Sequence, residues 1–159
     1  MEAGISTACL YPENVEIALM ELAKRSVKLI EIFINTHCEL EKKFVLEMKK
    51  ITDEYGMKVS SIHPFTCGIE PMMFFTPYER RFTDILEYYK KYFEVMNILG
   101  ANIFIFHGNK EQNLYPNKAY FERYEGLRKI GKEFGIIVAQ ENVSRCVSGK
   151  LSFLKEMSD

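Results

Sequence analysis

The sequence predicts an α/β protein, a partial (β/α)8 TIM barrel of five parallel strands each followed by a helix, with the C-terminal three units absent. Two observations predict it. Short apolar runs alternate with helix-period segments from end to end of the 159 residues. Three of those runs end abruptly in a side chain of ligating type: Lys58 to His63, Asn102 to His107 and Ile136 to Glu141. Each is entered from a helix that closes on glycine, at Gly56, Gly100 and Gly135. Consecutive parallel strands joined by helices lie side by side, about 4.8 Å apart. His63, His107 and Glu141 are therefore expected as neighbours on one rim of the sheet.

Taken in order, Gly4 to Thr7 lies in the first strand, and Pro12 and Glu13 open a helix whose apolar face is Val15, Ala18, Leu19 and Leu22. Leu29 to Ile34 is the second strand, too continuously apolar for a sheet wet on one face. It carries Glu31, a carboxylate that must be paired or protonated away from water. The second helix is expected from about Glu39 to Tyr55, and the third strand leads to His63. The loop from Pro64 to Thr76 holds Met72-Met73-Phe74-Phe75, either a lid over an apolar part of a ligand or a plug beneath the loop. Thr76-Pro77-Tyr78-Glu79 reads as a capping box with proline at the first helical position. The helix it opens runs to Leu99 with Phe82, Ile85, Leu86, Tyr89, Phe93 and Met96 inward. The fourth strand ends at His107, Asn117 caps the next helix, and the fifth strand ends at Glu141. Ser148 opens a last helix. No linker or low-complexity tract interrupts the chain, so residues 1–159 are expected as one domain.

A doubly wound open sheet usually carries a glycine-rich phosphate loop after its first strand. Here that turn is Ser6-Thr-Ala-Cys-Leu-Tyr-Pro12, without glycine. A barrel instead places functional side chains at the C-terminal ends of successive strands, but a full one needs about 250 residues. With 47% hydrophobic and 27% charged residues the composition is that of an ordinary globular domain. A net charge of −1 gives no electrostatic reason to expect nucleic acid as a partner. No apolar run approaches the roughly 18 residues of a membrane span, and the first strand begins too close to Met1 for a signal peptide. A cytoplasmic protein with no membrane partner is expected. Cys9, Cys38, Cys67 and Cys146 form no C-x-x-C pair and match no zinc spacing, so reduced thiols are expected, although all four follow strand ends.

The order Ser61-Ile-His63-Pro-Phe65, Phe106-His107-Gly108 and Gln140-Glu141-Asn142, each motif after a strand, resembles the N-terminal part of the xylose isomerase-like TIM barrel superfamily. That group includes the sugar phosphate isomerases/epimerases and apurinic endonuclease family 2. The resemblance covers the whole chain and stops before the last three strands. It implies that Glu141 is a catalytic residue and a ligand of a divalent metal. It implies that His63 and His107 are metal ligands, as in the endonuclease branch, or line a sugar pocket, as in the isomerase branch. Mixed nitrogen and oxygen ligation suits zinc, manganese or cobalt.

The expected function is that of a metal-dependent sugar or sugar-phosphate isomerase or epimerase, moving a proton through a metal-stabilised enediolate. The alternatives are an apurinic-endonuclease-like metal phosphodiesterase and a non-catalytic partial barrel acting as an assembly module. The endonuclease branch carries a histidine and a Gly-Gly pair in its first strand; Gly4-Ile-Ser-Thr-Ala-Cys-Leu10 has neither, which with the charge weighs against DNA. Glu31, Asn109, Asn142 and Arg145 are the candidate substrate contacts, Arg145 as a receiver of phosphate, and His37 is a weaker rim candidate. The family's further ligands, a histidine and two carboxylates from strands six to eight, would lie beyond Asp159. The chain alone is therefore expected to hold an ion weakly and to turn over no sugar. Two open edges, expected to be long, flat and apolar, and an uncovered inner face imply a homo-oligomer.

Overall fold

The computed structural model describes residues 3–158. Five strands, β1 (Ile5–Ser6), β2 (Leu29–Phe33), β3 (Lys58–His63), β4 (Ile103–Phe106) and β5 (Ile137–Gln140), form one parallel sheet in the order β1-β2-β3-β4-β5. Spatial order follows chain order throughout, the winding of a barrel; a doubly wound sheet reverses at a switch point. Among the described residues β1 and β5 do not pair, so the sheet stays open. The helices are α1 (Val15–Lys24), α2 (Lys42–Glu54), α3 (Glu70–Met73), α4 (Glu79–Leu99), α5 (Asn117–Glu133) and α6 (Leu151–Ser158). No helix among the described residues is long and apolar enough to cross a membrane.

Period-two alternation sorts the strand residues into two layers. Ile30 and Ile32 of β2, Ile62 of β3, and Phe104 and Phe106 of β4 are fully buried against the helices. There they meet Leu19, Val45, Met48, Tyr89, Tyr92, Phe93 and Leu127 in a single core. Tyr89, Tyr92 and Phe93 all pack their rings on Phe104, with centroids 5.1, 5.6 and 5.4 Å away. The alternate residues face the other way and are incompletely covered among the described residues: Ile137 is 60% exposed, and Leu29, Phe33, Ile103 and Ile105 are partly exposed. Ile5 pairs with Ile30 and so lies on the helix side, where it stays 40% exposed at the sheet edge.

Several local expectations give way to tertiary contacts. The capping box at Thr76 does not form. Tyr78 is the N-cap without a side-chain cap, Thr76 Oγ1 accepts the Tyr78 N–H at 3.2 Å, and Glu79 pairs with Arg123 of α5 instead. Arg123 is buried with its guanidinium 3.9 Å over the Phe82 ring, a partner stronger than an N-terminal amide. Asn117 lies within α5 behind Pro116, its side chain bonded to Glu156 of α6, so it caps nothing. The second helix begins at Lys42, later than Glu39, after a 3-10 turn at His37–Leu40. Ser148 falls in a 3-10 turn, and α6 starts at Leu151. The open edges are shorter than expected, two residues in β1 and four in β5, a length that itself blunts edge pairing.

Phe74 and Phe75, from the long loop, are plug rather than lid. Both are buried, Phe74 against Phe82, Tyr89 and Phe106, and Phe75 stacked on Tyr120 with centroids 4.4 Å apart. That stack makes the turn after β4 unforgiving. Gly108 has φ +85°, and a Cβ there would lie 2.0 Å from Tyr120 Oη, on a ring that has no room to retreat. Gly108→Ala is expected to cost about 2–5 kcal/mol, from backbone strain and overpacking together. Gly68, whose added Cβ would meet nothing within 4 Å, is the control: Gly68→Ala is expected to stay within about 1 kcal/mol of the parent. Urea unfolding of the three proteins checks this, and similar midpoints for the two variants would contradict it.

Candidate metal centre

Alternation decides which way the rim side chains point. Ile62, Phe106 and Gln140 face the helices, so the next residues, His63, His107 and Glu141, face the opposite side. Backbone bonds continue the ladder past the strand ends and hold this register: Ile34 N–H donates to the His63 carbonyl at 2.9 Å, and Glu141 N–H to the Phe106 carbonyl at 2.8 Å. The three side chains converge. His63 Nε2 and His107 Nε2 are 3.2 Å apart, Glu141 Oε2 lies 3.3 Å from His107 Nε2, and it lies 3.7 Å from His63 Nε2. Among the described residues this is the one group of three or more His, Cys, Asp or Glu at ligand spacing.

These separations fit a metal. Two donors bonded at the roughly 2.0–2.1 Å of zinc–nitrogen bonds, at the tetrahedral angle, stand about 3.3–3.4 Å apart. The three observed gaps bracket that value, and three protein ligands leave a fourth position for water or substrate. The electrostatics agree. Burial, and then the neighbouring His107 ring, lowers the His63 pKa below the ordinary histidine value, while Glu31 and Glu141 pull it back up. A neutral ring keeps the lone pair that ligation requires.

The backbone around His107 is braced from three sides. Gln140 Nε2 donates to the carbonyls of Phe106 at 3.0 Å and His107 at 2.9 Å, and its Oε1 accepts from Tyr120 Oη at 2.5 Å. Ser148 Oγ donates to the His107 carbonyl at 3.4 Å. Glu70 Oε2 accepts the Gly108 N–H at 2.7 Å. Neither Gln140 nor Glu70 was expected from the sequence. Gln140 carried a readable signal, a polar residue at a helix-facing position of an apolar strand. Glu70 offered only its place in an unusually long loop.

The other sequence candidates scatter around the triad. Glu31 is on the inner face of β2, bound by Ser61 Oγ at 2.8 Å, close enough to act on the charge of His63. Asn109 is buried and spends its side chain on Asn113, donating to its carbonyl at 2.8 Å and accepting from its amide at 2.8 Å. Asn142 is exposed beside Glu141. Arg145 is exposed and, with Lys110, Cys67, Cys146, Val143 and His107, lines a cavity of about 190 Å³ next to the triad. The backbone of Lys110 pairs with that of Cys146 in an isolated antiparallel bridge. His37 does not join the site; its ring stacks on Tyr88 of α4, with Nδ1 3.2 Å from the tyrosine hydroxyl. All four cysteines are free thiols, and burial raises the pKa of Cys67 and Cys146.

No protein-family model and no curated protein matches this sequence. Solved structures do match the fold. A D-tagatose 3-epimerase-like protein aligns with a TM-score of 0.80 at 16% identity, over 99% of this chain and 60% of its own. The IolI protein with a bound zinc atom aligns with a TM-score of 0.76 at 15% identity, over 99% of this chain and 58% of its own. D-psicose 3-epimerase from Clostridium cellulolyticum H10, solved with D-tagatose, gives 0.70 at 13% identity, over 99% and 60%. The chain thus spans about three-fifths of the length of these proteins. Five parallel strands wound in chain order, matched over 99% of the chain by these structures, give the chain the fold of a partial TIM barrel.

Proposed function

We propose that this chain is the metal-holding part of a divalent-metal-dependent sugar or sugar-phosphate isomerase or epimerase. One observation carries the reading: three donors at ligand spacing stand on the rim where barrels carry their chemistry. The fold neighbours that act on ketoses support the substrate class. A zinc, manganese or cobalt ion held by His63 Nε2, His107 Nε2 and Glu141 Oε2 supplies Lewis acidity for negative charge developing on the oxygens of a hydroxy-ketone. The chain's own groups handle orientation and the proton. Glu141 turns Oε2 toward the imidazoles, which leaves Oε1 as the atom to take the proton from the substrate carbon. Glu31, held by Ser61, offers an acceptor to a substrate hydroxyl on the inner face, and Asn142 offers an amide at the rim. Arg145 and Lys110, beside the small cavity at His107, are placed to receive the anionic end of a sugar phosphate. Asn109 contributes by fixing the loop that carries Lys110. The free thiols fit a reducing, cytoplasmic setting.

Calorimetric titration with Zn2+, Mn2+ or Co2+ tests the site. One ion per chain is expected, with affinity reduced by more than about 100-fold in His107→Ala, beyond the roughly 10–100-fold that loss of an outer partner costs. Wild-type protein that binds none of the three ions would sink the reading. With only these ligands, the metal-loaded 159-residue chain is expected to bind ketoses without converting them. Turnover at roughly 1–10³ s⁻¹, the range of ordinary enzymes, would show instead that the five units suffice.

We further propose that two copies cover each other's open faces. Ile137 is 60% exposed on the edge strand β5, and the inner face beside it, with Leu29, Phe33, Ile103 and Ile105, is incompletely covered among the described residues. Burial of that face around a two-fold axis makes an interface of the obligate kind, over about 2,000 Å². Sedimentation velocity at micromolar concentration is expected to find a dimer, and Ile137→Lys a monomer. A monodisperse wild-type monomer would remove the second copy as the cover and leave that role to further βα units.

A further inference from the structure

The carboxylate of Glu70 is the most deeply placed charge near the triad, and the reading above gives it no role. It is fully buried in the short helix α3. Its Oε1 lies 3.0 Å from Thr66 Oγ1 and 3.1 Å from Tyr89 Oη, both of which are fully buried, and its Oε2 accepts the Gly108 N–H at 2.7 Å. Among the described residues it makes no ion pair with lysine or arginine. A carboxylate in such a place costs several kcal/mol unless its oxygens are well satisfied. The remaining group beside it is the His107 ring, whose buried Nδ1 lies 3.5 Å from Oε1, within ion-pair reach, and has no hydrogen-bond partner among the described residues.

We infer that Glu70 is the positioning residue of the metal centre: it holds His107 in the tautomer that carries its proton on Nδ1. The inference rests on the metal reading only for its purpose; the tautomer itself follows from geometry. A neutral imidazole has one N–H and one lone pair. An unprotonated Nδ1 would set its lone pair against a buried carboxylate oxygen, whereas Nδ1–H is attracted to it. Protonation of Nδ1 leaves the lone pair on Nε2, the atom that faces His63 Nε2 at 3.2 Å and Glu141 Oε2 at 3.3 Å. Metal-ligating histidines commonly carry a carboxylate behind the ring in this way. The same carboxylate holds the Gly108 amide, so a single group fixes both the ring and the turn that follows it.

Glu70→Gln reverses the ring's preference. If its amide oxygen keeps the Gly108 N–H, its NH2 faces His107 Nδ1, and the ring answers with a lone pair there and a proton on Nε2. Long-range 1H–15N spectra of metal-free protein read the tautomer directly: Nδ1–H at His107 is expected in wild type and Nε2–H in Glu70→Gln. Titration with Co2+ alone is expected to show affinity reduced about 10–100-fold in Glu70→Gln. Tyr89→Phe removes another partner of Glu70 and disturbs the same buried cluster, yet is expected to keep both the wild-type tautomer and the Co2+ affinity within about threefold. An Nε2–H tautomer in wild type overturns the inference, and that measurement stands even where Glu70→Gln does not fold. Wild-type Co2+ binding left unchanged by Glu70→Gln overturns it too. Absence of Co2+ binding in wild type counts against the metal reading, while the tautomer still decides the role of Glu70.

Discussion

The parallel ladder through β3, β4 and β5 is the constraint on which the rest of the molecule depends. It puts three strand ends on one rim, and period-two alternation then aims one side chain from each toward the same space. The register is staggered. Ser61 pairs with Ile103, so His63 stands level with Ile105, while Phe106 pairs with Gln140, so His107 and Glu141 stand level with each other. His63 therefore starts one inward-facing layer lower and reaches up to meet the other two. Phe33, its register partner on β2, supports the ring from the side with centroids 4.7 Å apart. Slipping any of the three strands by a single residue would turn its member of the triad into the helix layer.

This is also why the strands and the triad are legible in the sequence. Helix-facing residues such as Ile30, Ile32, Phe104 and Phe106 have to be large and apolar, and their spacing dictates where His63, His107 and Glu141 point. Element ends are less legible because they are decided by partners far along the chain. Thr76-Pro-Tyr-Glu79 has the letters of a capping box, but Arg123, 44 residues downstream, is a better partner for Glu79 than the backbone of its own first turn. Asn117 is claimed by Glu156 in the same way. Glu70 was invisible for a different reason: a loop has no period, so nothing in the letters between Pro64 and Thr76 says which side chain turns under His107.

What lies under the triad is as constrained as what lines it. Phe74, Phe75, Tyr89 and Tyr120 surround the Glu70 region with rings that exclude water. Burial raises the pKa of Tyr89 far above the ordinary tyrosine value, and the charge of Glu70 adds to it, so that hydroxyl stays a donor. In so dry a place each hydrogen bond is stronger than it would be in water and each missing one costs more. The cluster therefore allows few arrangements of the atoms behind His107. The open rim, where Glu141 is partly exposed, allows many more. Rigid support below and access above is the division that a ligand-exchanging metal centre calls for.

The fold divides in the same way. A closed barrel has two apolar layers, one between sheet and helices and one inside the sheet. In this chain the outer layer is built from β2 to β4, with Ile30, Ile32, Ile62, Phe104 and Phe106 packed against helix residues, while Ile5 on the same face of β1 stays 40% exposed. The inner layer is half built, as the exposure of Ile137 records. Folding can draw on the first layer without the second, because the helix-facing burial does not depend on β1 meeting another strand. The triad needs only β3, β4 and β5, and so it forms within the part that is built. Enclosing a ligand is another matter. A site that buries most of its ligand needs walls on the far side of the rim, and no described residue supplies them. Convergence of the three donors and enclosure of a ligand are thus physically separable in this architecture: the first is a property of three neighbouring strands, the second of a closed inner face.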